Sequence, residues 1–326
     1  MKAEKPELNT VFSQVLQNIC KRIRRGFENC WARRRHGLKA GLPHFRDRHQ
    51  YRSLTYPQMG FSLKDGWLKL SKIGTLRMVY HRPIEGRIKT LTIKRTPTGK
   101  WYATFCCEVE SKPISGRKKA VGVDFGLVHL VALSDGTIFE APKTYRKIEA
   151  QSRKAHRFLS HKKKGSRNRE KARVRLVKVE EKAKNRRRDF AFKIARSIVD
   201  RYQKVVVEDL RIDNMRRNRC LSKSIGDAGW GILRSALTYM AQRSEGVMVL
   251  VDPSYTSQLC SGCGKLVSKS LSERTHRCSV CGLVLDRDVN AAQVILRRGI
   301  GVEYAESKPV DGVATAPLFP GCKLPL

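Results

Sequence analysis

The sequence predicts an α/β fold, and three observations predict it. Two apolar runs, Val121-Gly-Val-Asp124-Phe and Lys204-Val-Val-Val-Glu208, read as strands buried on both faces, and each carries an acid at or near its end. Between them lie a second strand over Val128–Leu133, a Ser134-Asp135-Gly136 turn into a third strand around Thr137–Glu140, and a basic helical stretch from about Lys143 to Arg201, broken at Lys164-Gly165-Ser166. Beyond Glu208 come a helix over about Trp230–Ser244, a strand over Val247–Val251, a cysteine module and a last helix from Val289. Stripped of insertions, the order is β-β-β-α-β-α-β-α.

That is the order of the RNase H-like fold, in which three antiparallel strands are joined by a fourth lying parallel to the first. Ahead of it, Leu8 to Arg35 carries Val11, Val15, Leu16, Ile19, Ile23 and Phe27 at helical spacing, with Lys21, Arg22, Arg24 and Arg25 on the other face. From Gly41 to Ser111, short β-type runs (Leu68–Ile73, Thr90–Lys94, Trp101–Val109) broken by Gly, Pro and Asp predict a small β-barrel or sheet. A basic linker, Lys112–Lys119, leads into the α/β part. The predicted division is a basic helical segment (1–40), a β-rich domain (41–115), the RNase H-like domain (116–255) with a basic hairpin (143–201), a cysteine ribbon (256–284), the final helix (285–300) and a disordered tail rich in Pro and Gly (301–326).

The 67 Lys and Arg against 29 Asp and Glu leave a formal net charge of +38 over 326 residues. So large an excess calls for a polyanion, and nucleic acid is the natural one. A membrane is not expected, because no apolar span nears the roughly 20 residues that a crossing helix needs, and the charged Met1–Cys30 stretch does not read as a signal peptide. With no export signal, the ten cysteines belong to a reducing compartment.

In the predicted topology the first and fourth strands are neighbours, so Asp124 and Glu208 approach one another. A third acid is available at the start of the last helix, in Asp286-Arg-Asp288-Val-Asn-Ala-Ala. Three converging carboxylates repel one another unless cations sit between them, and Mg²⁺, with its preference for hard oxygen ligands, suits such a site. Two such ions can activate water and stabilise the leaving oxygen of a phosphodiester. Structural readings compete: Asp124 as a turn residue before Gly126, Glu208 paired with an arginine, Asp288 as a helix cap. Asp286 is a rival for the third place, and Asp209 reads as a supporting or capping residue.

Cys260-Ser-Gly-Cys263-Gly and Cys278-Ser-Val-Cys281-Gly are two short knuckles separated by 14 residues, a spacing that suits one tetrahedral, structural Zn²⁺. A complete set of four thiolates leaves no vacancy for His276. Lys265, Lys269, Arg274 and Arg277 on this ribbon are candidates for phosphate contact, and Cys20, Cys30, Cys106, Cys107, Cys220 and Cys322 read as unpaired thiols. Lys143–Arg188 holds 20 basic residues and 4 Glu, a local excess of +16 on a helical hairpin. Such a surface predicts a nucleic-acid groove, with Lys162, Lys163, Lys164, Arg167, Arg169, Arg186, Arg187 and Arg188 as backbone contacts. Aromatic residues are sparse there, which favours phosphate contact over base stacking.

Val121-Gly-Val-Asp-Phe-Gly, Lys162-Lys-Lys-Gly-Ser-Arg-Asn-Arg, Val207-Glu-Asp-Leu, Ser222 to Gly231, Thr256-Ser-Gln-Leu-Cys and Asp286-Arg-Asp-Val-Asn-Ala-Ala together resemble the TnpB transposon-encoded nucleases, relatives of the type V CRISPR effectors. The resemblance covers about residues 5 to 300. It implies an RNA-guided endonuclease with a RuvC domain, acting on double-stranded DNA, whose guide RNA comes from the transposon end and pairs with the target strand. On that pattern Asp124, Glu208 and Asp288 match the three RuvC acids that hold two catalytic Mg²⁺ ions. The hairpin would lie along the heteroduplex, the β-rich segment would be the wedge that holds the RNA scaffold, and Leu8–Arg35 would belong to the recognition lobe. Family members usually begin with a strand and helices upstream of where this sequence begins, so the resemblance implies a shortened wedge and recognition lobe. It also implies a prokaryotic, cytoplasmic, nucleoid-associated protein. The alternatives are a guided DNA-binding protein that does not cut and a DNA-joining transposase with similar acids.

Overall fold

The computed structural model describes residues 4–45, 51–140, 144–210, 229–270 and 273–301, and the chain divides into two compact units, Met1–Glu110 and Ser111–Leu326. The expected tail, Cys220, Cys322 and most of the Ser222 to Gly231 motif lie outside the described residues.

In the first unit the amphipathic helix α1 runs over Ser13–Arg35. It starts later than its apolar spacing suggests because Pro6–Thr10 forms a separate 3-10 turn, in which the Thr10 hydroxyl donates to the Glu7 carbonyl at 2.7 Å. Six strands follow: β1 (Ser53–Tyr56), β2 (Phe61–Lys64), β3 (Trp67–Leu70), β4 (Gly74–Arg77), β5 (Arg87–Arg95) and β6 (Trp101–Glu108). They form two antiparallel sheets, β1-β5-β6 and β2-β3-β4, and among the described residues no strand pairing closes them into a barrel. Strand β3 ends at Leu70, short of the expected Ile73, because Lys72 and Gly74 turn the chain at φ of 66° and 118°. Val15 of α1 shares one core with Tyr56, Leu68, Leu70, Leu91 and Ile93, so the stretches on either side of position 40 pack as a single unit.

The second unit contains β7 (Lys118–Asp124), β8 (His129–Leu133), β9 (Ile138–Glu140), α2 (Thr144–Ser160), α3 (Arg167–Val199), β10 (Tyr202–Glu208), α4 (Trp230–Arg243), β11 (Val247–Val251), β12 (Thr275–Arg277), β13 (Val284–Asp286) and α5 (Arg287–Gly299). One five-stranded sheet runs β11-β10-β7-β8-β9. Strand β10 is parallel to both β7 and β11, whereas β8 is antiparallel to both β7 and β9, as the element order predicts.

Strand alternation sorts the residues onto two faces. Val121, Val123, Val205 and Val207 share a core with Ala191, Ile194, Ala195 and Ile198 of α3 and Leu233 and Leu237 of α4. Gly122, Asp124, Val206 and Glu208 fall on the opposite face, against α5. That helix lies unusually close to the sheet: a Cβ on Gly122 would sit 1.9 Å from the Ala292 carbonyl oxygen, and one on Gly299 2.4 Å from the Val206 methyls. Both glycines are therefore required by packing rather than by backbone angle. Gly122→Ala is expected to cost about 3 kcal/mol, the upper end of ordinary overpacking, read as a drop in the denaturation midpoint, whereas a change below about 0.5 kcal/mol would mean that α5 is not held against the sheet.

Candidate active site and metal centre

Val207 lies beside Val123 in the parallel register, so the next step along the two strands sets Glu208 beside Asp124 at their carboxyl ends. The close packing of α5 brings Asp288 in from its first turn. Burial drives the Asp124 carboxyl well above its ordinary range, and the charges of Glu208 and Asp288 push it further. Glu208 is also raised by burial, which is offset in part by the Thr256 hydroxyl donating to Oε1 and by the charge of Arg298. Asp288 is raised by burial and by Asp286, with Arg274, His129 and Arg287 acting against the rise; the Arg274 guanidinium is 4.0 Å from its Oδ1.

The structure thus brings Asp124, Glu208 and Asp288 together and gives Asp286 a different task. Asp286 Oδ1 accepts from the backbone N–H of Asp288 at 2.9 Å and of Val289 at 3.1 Å, so Asp286 is the N-cap, and α5 starts two residues before the expected Val289. Asp209 sits outside the cluster in an ion pair with Arg234 at 3.1 Å. Sequence reasoning assigned no role to Thr256, Arg287 or Arg298. Thr256 could have been found, because it stands in the segment that joins the end of β11 to the first knuckle.

The four cysteine sulfurs lie within 4.8 Å of one another, with Cys260–Cys281 and Cys263–Cys278 both at 3.6 Å. Metal–sulfur bonds of about 2.3 Å in a tetrahedron require S···S separations of about 3.8 Å, so the set fits one tetrahedral ion. The two knuckles are built alike. Gly264 N–H donates to the Cys260 carbonyl and Gly282 N–H to that of Cys278, each at 2.9 Å, and both glycines sit at φ of 73°, where a side chain would be strained. The backbone N–H of Cys281, then that of Val280, pulls the Cys278 thiol down to about 6, whereas burial pushes Cys260 up to about 12. His276 is fully buried outside the set, with Lys269 Nζ 2.5 Å from its Nδ1. Lys269, expected at phosphate, is turned inward, and burial, then Arg287, lowers it to about 8.

Helices α2 and α3 pack as the expected hairpin, with Ala155, Ala172 and Leu176 buried. Lys163, Lys164, Arg167, Arg186 and Arg188 are exposed, and Arg187 is half-buried. Lys162 lies over the Phe158 ring at 4.4 Å, and Arg169 Nη1 donates to the carbonyls of Leu159 and Lys162 at 3.1 and 2.9 Å, so Arg169 holds the turn. Among the described residues no helix is long and apolar enough to cross a membrane.

Fold and site together define a mixed α/β protein with an acidic cluster at adjacent parallel strand ends and four cysteines placed to hold one metal ion. Residues 104–219 match the OrfB_IS605 family model, described as "Probable transposase", and residues 230–295 match the Cas12f1-like TNB domain. The chain is 36% identical to the "Putative RNA-guided DNA endonuclease" of Streptomyces pristinaespiralis, over 94% of this chain and 75% of that protein. It is 32% identical to InsQ of Escherichia coli (strain K12), which carries the same description, over 89% of this chain and 75% of that one. Its fold is also similar to the protein in a cryo-EM structure of a Cas12f1-sgRNA-target DNA complex, with a TM-score of 0.54 at 15% identity, covering 81% of this chain and 67% of that one. The chain belongs to the TnpB family.

A carboxyl that holds its proton more tightly when folded stabilises the fold at low pH, and that contribution is lost as pH rises through the raised value. Without added divalent cation, the protein is expected to lose stability as pH climbs from about 4 towards neutrality. Asp124→Asn, which stays neutral, should flatten that slope. Melting temperatures of both proteins across this range check the assignment, and parallel slopes would show that Asp124 carries no such strain.

Proposed function

We infer that this protein is a transposon-encoded, RNA-guided DNA endonuclease whose RNase H-like (RuvC) domain cuts phosphodiester bonds. The observation that carries the reading is the convergence of buried Glu208 and Asp288 on half-buried Asp124, whose carboxyl both of their charges raise, in a chain of this family. The strand order β11-β10-β7-β8-β9, with β10 parallel to β7, supports the RNase H-like class.

Asp124, Glu208 and Asp288 would hold two Mg²⁺ ions, which when bound supply an activated water and a stabilised leaving oxygen. The chain's own residues do the rest. Thr256 fixes one oxygen of Glu208, leaving the other for the site. Arg274 and Arg287 lower the repulsion around Asp288. The exposed lysines and arginines of the α2–α3 hairpin neutralise phosphates and set affinity without reading sequence. In the first unit, exposed Trp67 stands in cross-strand register between Lys64 and Arg77, a surface that supports a guide-RNA-holding wedge. The guide RNA would derive from the transposon end, and the DNA target would be double-stranded.

The four cysteines would hold one structural Zn²⁺. Metal analysis of purified protein is expected to find about one zinc per chain, falling below half in Cys260→Ser, whereas less than half an equivalent in active wild type would exclude a structural ion.

The description of the OrfB_IS605 family as a transposase favours a second reading, strand joining, which uses similar acids. Wild type and Asp124→Ala, each loaded with the native RNA and given matched DNA and Mg²⁺, separate the readings. The expected result is free cut ends with wild type, and binding without cleavage with Asp124→Ala. Equal cleavage by both would refute the acid assignment, joined products would indicate a transposase, and tight binding with no cutting by wild type would indicate a guided binder.

A further inference from the structure

We propose that Asn290 is a positioning residue that ties Asp288 to the four-cysteine module, so that the module's folded state sets the geometry of the acid cluster. The consequence for cleavage rests on the endonuclease reading. The geometric link does not.

Asn290 is fully buried, and both ends of its amide are engaged by one knuckle: Oδ1 accepts from the Ser261 N–H at 2.9 Å and Nδ2 donates to the Leu259 carbonyl at 2.8 Å. These partners flank Cys260, so one side chain grips the backbone of a cysteine ligand from both sides. Asn290 follows Asp288 by two residues, which on an α-helix is a rotation of about 200°. The first turn of α5 is therefore held on roughly opposite sides, with Asp288 towards the acids and Asn290 towards the knuckle. Gln293 adds a second tie, accepting from the Ser261 hydroxyl at 2.8 Å and donating to the Ser134 carbonyl at 3.4 Å.

The module also reaches the acids elsewhere. Thr256, at its entry, donates to Glu208, and Arg274, just before β12, faces Asp288. The backbone N–H of Arg287 donates to the Arg274 carbonyl at 2.8 Å, which joins the start of α5 to the ribbon. Rotating α5 by a fraction of a turn would move Asp288 away from Asp124, and the bidentate grip of Asn290 resists that rotation directly. Asn290 touches no reacting group, so it acts only through Asp288.

The test uses full-length, zinc-loaded wild type, Asn290→Ala and the milder Asn290→Ser, whose hydroxyl is too short to bridge both backbone groups. Four quantities are measured: zinc content, affinity for Mn²⁺ alone by electron paramagnetic resonance with Asp124→Ala defining binding elsewhere, the Mg²⁺ concentration for half-maximal cleavage, and affinity for RNA and DNA. All three proteins are expected to retain one zinc and wild-type nucleic-acid affinity. Asn290→Ala should need about tenfold more Mn²⁺ and Mg²⁺, and Asn290→Ser an intermediate amount, as for residues that orient metal ligands. Wild-type Mn²⁺ affinity in Asn290→Ala would overturn the proposal, and so would a loss of affinity that only tracks loss of zinc. If Asn290→Ala does not fold, Asn290→Ser decides by the same criteria. A wild type that binds Mn²⁺ but does not cut, with the Mn²⁺ shift intact in the variants, would refute the nuclease reading and leave the positioning role standing.

Discussion

The approach of α5 to the sheet at Gly122 leaves no room for a methyl group, and the rest of the acid site follows from that contact. Asp124 and Glu208 are placed by strand register alone, at the ends of neighbouring parallel strands. Asp288 is different, because it belongs to a helix that arrives from the far end of the chain, after the cysteine module. Its position depends on how near that helix can come and how it is rotated. Nearness is set by Gly122, Gly299 and the small Ala291 and Ala292; rotation is set by the groups that hold the first turn from either side.

This arrangement is electrostatically unfavourable in the protein alone. Burial raises all three carboxyls, and each of Asp124 and Asp288 is raised further by a neighbouring acid. A purely structural trio of acids would be expected to be paired with cationic side chains. Here Arg274 stands 4.0 Å from Asp288 Oδ1, at the outer edge of an ion pair. Carboxyls that raise one another's proton affinity in this way are suited to cations from solution.

Much of this was legible in the sequence. The runs Val-Gly-Val-Asp and Val-Val-Val-Glu announced doubly covered neighbouring strands with an acid at the carboxyl end of each. The CxxCG pairs announced the thiolate set, because the short knuckle and its left-handed glycine constrain the backbone almost completely. What was not legible lay in tertiary direction. Asp286 and Asp288 look equivalent in the motif Asp-Arg-Asp, and only the capping bonds from Asp286 Oδ1 separate them. Lys269 and Arg169 read as surface charges by composition, yet one turns inward against His276 and the other folds back onto carbonyls of its own turn. The β-rich segment read as a small barrel or sheet because strand periodicity carries no information on closure, and its described strands pair as two antiparallel sheets.

The charge distribution adds a last constraint. A net +38 gathers phosphate from a distance, but ionised acids at Asp124, Glu208 and Asp288 would turn a phosphodiester away at the point of contact. The surface and the pocket therefore make opposite demands on the same polyanion. They are reconciled if the carboxyls are protonated or cation-filled when phosphate arrives, and burial raises the proton affinity of all three acids. On the endonuclease reading, cations and phosphate would assist one another's entry: each ion would remove the repulsion that excludes the backbone, and the backbone would supply the further oxygens a hard cation needs. On that reading, binding on the basic surface would not need the ions, whereas seating of the scissile phosphate would. On that reading the exposed lysines of the hairpin turn would hold nucleic acid and the acids would commit it to chemistry.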